Sequence, residues 1–185
     1  PRDAARGGDS RAAVVARDLQ RLLFVAHPDS GCTGSMTDDR SRLVNIRPCN
    51  ESFSSATGSV AYARCIGDLP ALTRASSGKL VVVVFTNVRW VPEFKYTLLS
   101  VRQLWHEQHI DTTFRDESAL ILPPSCGSLR IEFDARRELP TVPFVSVANL
   151  LRLGGGRVDL PRLLSRQSAF VPTRAATVVD AARDD

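Results

Sequence analysis

Phe24-Val25-Ala26-His27-Pro28-Asp29-Ser30-Gly31-Cys32-Thr33-Gly34-Ser35-Met36-Thr37 is the stretch around which the chain is organised. A short apolar run, Leu22 to Ala26, delivers an aspartate into a turn of small hydroxyl residues and two glycines. Glycine lets the backbone pass close to other groups, and Ser30 and Thr33 can hold a carboxylate or a neighbouring chain by hydrogen bonds. Asp29 can therefore be presented as well as solvated. Taken alone, the stretch also reads as an ordinary polar turn after a strand, because Asp-Ser-Gly is a common turn tripeptide.

The 185 residues suffice for one domain with flanks, and 43% hydrophobic content supports a core. Net charge is +4, but the arginines are scattered, Lys79 and Lys95 are the only lysines, and aromatics make up 6%. A nucleic-acid binder should show a basic stripe with interleaved aromatics, so this composition speaks against nucleic acid as a partner. Cys32, Cys49, Cys65 and Cys126 lie far apart, with no Cys-x-x-Cys pair, and neither a metal nor a cofactor is expected. His106 and His109 share a helix face but lack the i, i+4 spacing of zinc peptidases, and read as a surface helix end. No stretch approaches the roughly 20 apolar residues that span a bilayer, so no membrane partner is expected. Pro1-Arg2-Asp3-Ala4 is neither a signal peptide nor a natural start, and the chain is expected to be a piece of a longer protein.

Residues 1–18 read as a solvated linker or short helix: after Gly7-Gly8-Asp9, apolar residues recur at helical spacing from Ala12 to Leu23, with Ser10 as a candidate N-cap. Such a helix must end before His27-Pro28. Leu43 to Ile46 suits a brief strand, and Ser52 to Ala63 a hairpin with its tip at Gly58. Leu80-Val81-Val82-Val83-Val84-Phe85 is the most strand-like run, β-branched and uncharged, and Val91-Pro92 ends it. Val101 to Trp105 suits a single short helix. Ile110 to Phe114, Ala119 to Leu122, Leu129 to Phe133 and Leu139 to Val147 read as further strands. These signals predict a mostly β domain, a barrel or sandwich, over 19–147 with its core in 22–122, followed by a flexible linker over 148–185.

Three further stretches bear on Asp29. They are Ala56-Thr57-Gly58-Ser59 followed by Ile66-Gly67-Asp68, then Asn87-Val88-Arg89-Trp90-Val91-Pro92, then Leu98-Leu99-Ser100-Val101-Arg102-Gln103-Leu104. Together with Asp29-Ser30-Gly31, in this order and spacing, they resemble the retropepsin-like aspartic protease region of copia-type retrotransposon polyproteins, over about residues 22 to 122. The resemblance implies a closed retropepsin-like β-barrel with one short helix and flexible tails, active as a homodimer on peptide sites of its own polyprotein. Asp29 would take the catalytic place, Ser30 would bond across the dimer and Gly31 would allow close approach. Ala56, Thr57, Gly58 and Ser59 would form a substrate-binding flap. Cytoplasmic localisation, in a virus-like particle, is implied as well. The chain departs from the family pattern at Pro28, Cys32, Thr57 and Thr97. Pro28 in particular favours a second reading, a catalytically inactive or domesticated barrel acting as a dimerisation or scaffold module. A Cys32–His27 nucleophilic pair is a further alternative, with an inert thiol as the expected role for Cys32.

Overall fold

The computed structural model describes residues 22–54, 58–115, 118–122, 127–133 and 139–153. Its strands are β1 (Leu23–Asp29), β2 (Met36–Thr37), β3 (Val44–Pro48), β4 (Ser52–Ser54), β5 (Val60–Tyr62), β6 (Cys65–Arg74), β7 (Leu80–Trp90) and β8 (Thr97–Ser100). Helix α1 (Val101–Gln108) follows, then β9 (Asp111–Thr113), β10 (Ala119–Ile121), β11 (Ser128–Arg130), β12 (Glu132–Phe133), β13 (Pro140–Ser146) and helix α2 (Val147–Arg152).

Six strands form a closed ring in the order β13-β1-β8-β2-β7-β6, and β13 returns to β6 through Val145 opposite Leu72 and Ser146 opposite Ala71. The domain is therefore the closed, mostly β barrel expected from the sequence. Strands β3 and β12 extend the sheet, and β9, β10 and β11 form a separate three-stranded sheet. The long β6–β7 ladder follows from the valine run of β7, which buries Val81, Val83 and Phe85 in strict alternation. That alternation slips by one residue before Val88, where Asn87 takes φ 56°, and the facing strand shifts register between Gly67 and Leu69. A paired irregularity of this kind bends a ladder enough for it to curl into a barrel.

Inside the ring, Phe144 stacks on Phe24 at 5.4 Å between centroids and meets Phe85 edge-on at 5.6 Å. Leu120 and Leu129, from the three-stranded sheet, join the same core. Beyond the single short helix expected from the sequence, α2 is a second one, lying within the stretch read as a linker. It packs against β6 and the 3-10 turn Arg40–Arg42, buries Leu150 with Leu22, Leu72 and Val145, and its Arg152 donates to the Ser41 carbonyl. Leu129 to Phe133, read as one strand, divides into β11 and β12 around buried Ile131. The helix expected upstream of Leu22 and the expected tails beyond Leu153 lie outside the described residues.

Phe144 is fully buried between two other rings. Phe144→Ala is expected to lower stability by about 3–5 kcal/mol, read as a lower urea midpoint at unchanged denaturant slope.

Candidate active site

Strand β1 lies between β8, to which it runs parallel, and β13, to which it runs antiparallel. Strand β8 is also paired on its far side with β2, the next strand after β1 in sequence. The loop from Ser30 to Ser35 thus joins two strands that a third, from sixty residues later, separates. Asp29 closes β1 and stands in register with Ser100, the last residue of β8.

Hydrogen bonds fix the loop from behind. Ser100 Oγ donates to the Cys32 carbonyl at 2.5 Å, the Ser100 N–H donates to Ser35 Oγ at 3.0 Å, and the Ser35 N–H donates to Gln103 Oε1 at 2.7 Å. Ser100 also caps α1, accepting the Gln103 N–H at 3.2 Å. Gln103 is buried, and its Nε2 donates to the carbonyls of Thr86 and Asn87 and to Glu107. Asp29 itself is half-buried, and its Oδ1 accepts the Gly31 N–H at 2.8 Å, an Asx-type turn. Ser30 and Gly31 are exposed. A Cβ at Gly31 would come 3.4 Å from Asp29 Oδ1, an ordinary contact, so the described chain does not itself demand glycine there.

Asp29 opens on a cleft of ≈ 400 Å³ walled by His27, Tyr96, Leu98, Phe114 and Phe133. A second hollow of ≈ 570 Å³, reaching to Asp38, Arg42 and Lys95, shares His27, Tyr96 and Phe133 with it. Together they form one groove. Its floor is the outward face of β1, where Val25, His27 and Asp29 alternate with the core residues Phe24 and Ala26.

The hairpin predicted over 52–63 is present as β4 paired with β5, with Gly58 at φ 82° in its turn and Ser59 exposed. Ala56 and Thr57 lie outside the described residues. Phe53 and Ala61 of the hairpin pack in one apolar cluster with Cys32, Met36 and Leu98, so its base sits beside the Asp29 loop.

The Cys32–His27 pair is not assembled. Cys32 Sγ donates to the Gly34 carbonyl at 2.8 Å, while His27 Nδ1 lies 3.0 Å from the Pro140 carbonyl and its ring meets Tyr96 edge-on. Burial pushes the Cys32 thiol above its ordinary pKa, and the Asp29 carboxylate adds to the effect while Arg89 opposes it. His106 and His109 are exposed at the end of α1, and the described residues contain no group of three or more side chains able to hold a metal.

Ser100 and Gln103 lie in the Leu98–Leu104 motif quoted from the sequence, where the resemblance implied only that Ser100 packs beneath the Asp29 loop; the hydrogen bonds that both make to that loop were not foreseen. The signal was there: Ser100-x-x-Gln103 has capping-box spacing. Here the glutamine turns away from the N-cap N–H and takes Ser35 instead.

Removing the Ser100 hydroxyl deletes both a helix cap and the bond to Cys32, so Ser100→Ala is expected to cost about 1–3 kcal/mol in chemical denaturation. A raised thiol pKa leaves less thiolate, and Cys32 should react with iodoacetamide at pH 8 more slowly than free cysteine. A faster reaction would mean an activated thiol.

No curated protein and no solved structure matches the chain. Residues 27–110 match the family described as Pol polyprotein, beta-barrel domain. The matched stretch begins two residues before Asp29, contains β8 and α1, and ends at Ile110, ahead of the closing strand β13. Over residues 27–110 the chain is thus similar to the beta-barrel domain of Pol polyproteins.

Proposed function

We propose that this barrel is one half of an aspartic endopeptidase of a retrotransposon-derived polyprotein, active as a homodimer in which each chain supplies Asp29. The observation that carries this reading is the threading of β8 between β1 and β2, which clamps the Asp29 loop from behind while Ser30 and Gly31 remain exposed. A loop held in this way can present its carboxylate to a symmetry mate, with Ser30 free to bond to the opposite chain. Two carboxyls a few ångströms apart share one proton and titrate as a pair. The ionised one takes a proton from a water, whose oxygen attacks the peptide carbon. The protonated one donates to the carbonyl oxygen, and collapse of the tetrahedral adduct expels the amine as it gains a proton.

An extended peptide would lie in the groove beside Asp29, and the β4–β5 hairpin, carrying Gly58 and Ser59, would close over it as a flap. The substrate would be junctions of the parent polyprotein, of copia type, and the setting a virus-like particle in the cytoplasm.

A second reading, a barrel that dimerises or supports neighbouring domains without chemistry, is favoured by one feature. Pro28 sits buried in β1, opposite Leu99, and has no N–H to give either neighbouring strand just before Asp29. The two readings part on one experiment. Hydrolysis of a peptide spanning a polyprotein junction, measured at mildly acidic pH, is expected to rise faster than linearly with protein concentration below the dimerisation constant. Asp29→Asn should abolish it while leaving the barrel folded. Cleavage retained in Asp29→Asn overturns the protease reading, and a dimer that cleaves nothing supports the scaffold.

A further inference from the structure

The Arg89 guanidinium lies between two segments that a flap-gated reaction must keep in register. On one side its Nε donates to Glu51 Oε2 at 2.9 Å. Glu51 is the residue from which the hairpin springs, and its carbonyl accepts the Ala63 N–H at 2.8 Å, closing the hairpin's base. On the other side Nη1 donates to Gln103 Oε1 at 3.2 Å, the same oxygen that accepts the Ser35 N–H at 2.7 Å. Nη1 also donates to the Asn87 carbonyl at 3.0 Å, which fixes the plane of the group from its own strand.

Gly34, inside the loop, completes the seat. A Cβ there would come 2.9 Å from Arg89 Nη1 and 3.1 Å from Cζ, and its three nearest atoms all belong to that guanidinium. A side chain at Gly34 would therefore have to displace the guanidinium. The Arg89 side chain is 18% exposed and that of Glu51 47%, so the charge pairing alone contributes little. What the arginine supplies is geometry, because a planar fork can hold several acceptors at fixed angles and a lysine cannot.

We propose that Arg89 is a positioning residue that couples the base of the β4–β5 hairpin to the Asp29 loop through Glu51 on one side and Gln103 and Gly34 on the other. Its kinetic consequence rests on the protease reading above; its structural consequence does not. A displacement of the guanidinium from either side is felt at the other, and the flap and the acid-bearing loop adjust as one unit.

The test is a double-mutant cycle on the full chain, with Gly34→Ala, Arg89→Ala and the two combined, and Arg89→Lys as the variant that keeps the charge. Amide hydrogen exchange at Ala63 reads the hairpin base, and at Ser35 the loop. Gly34→Ala, made in the loop, should speed exchange at Ala63 by about fivefold. Arg89→Ala should speed both sites, and adding Gly34→Ala to it should change nothing more, because no guanidinium remains to be displaced. Arg89→Lys should resemble Arg89→Ala. In the peptide assay Arg89→Ala should lower kcat by about 10²-fold, more than it raises KM. Additive exchange effects, or an Ala63 amide indifferent to Gly34→Ala, overturn the coupling whatever the activity. A wild-type chain that cleaves no peptide overturns the protease reading while the exchange results still decide the coupling.

Discussion

Ser100 ties the Asp29 loop to the end of β8 and to the start of α1. Its hydroxyl donates to the Asp29 loop at Cys32, the same hydroxyl accepts the Gln103 N–H to start α1, and its own N–H reaches Ser35 where the loop rejoins the sheet. Full burial makes each partner depend on the others, since an unmet donor or acceptor in that place has no water to turn to. A residue without the hydroxyl would leave the loop carbonyl and the helix start both unserved. The position of Asp29 is thus inherited from the end of β8, seventy residues away in sequence.

The barrel repeats the device. Strand β13 ends, as β8 does, in a fully buried serine whose side chain accepts an N–H three residues on: Ser146 caps α2 through Asn149. Strand β1 is held between these two serine-ended strands, one parallel and one antiparallel. Its long-range partners make folding dependent on loop closures spanning most of the described chain.

Much of this was legible in the sequence, and the omissions have physical causes. The valine run of β7, the hairpin around Gly58 and the strand-to-helix passage at Leu98 to Trp105 stand out because each obeys a local rule. Strand β6 does not: Gly67 and Pro70 both argue against a strand interior, yet the register shift opposite Gly67 absorbs one and Pro70 still takes its place opposite Val84. A Cβ at Gly67 would come 2.7 Å from the Val44 carbonyl, so that glycine answers to β3 and not to a turn. Strand β2, two residues long, carries no pattern at all. At the site, Asp29, Ser30 and Gly31 were marked by their own motif. Gln103 and Arg89 act through partners far off in sequence, and no spacing rule reveals that a glutamine on one helix and an arginine on another strand share an oxygen.

The dependence of the ring on β13 sets a limit on where the chain can be divided. Severing it between Leu122 and Pro140 would strip β1 and β6 of a neighbour at once and leave two raw sheet margins, each a template for annealing with other chains. The segment bearing the family signature is therefore shorter than the unit that can stand alone. Any excision that frees this barrel intact must spare at least Ser146, whatever lies beyond.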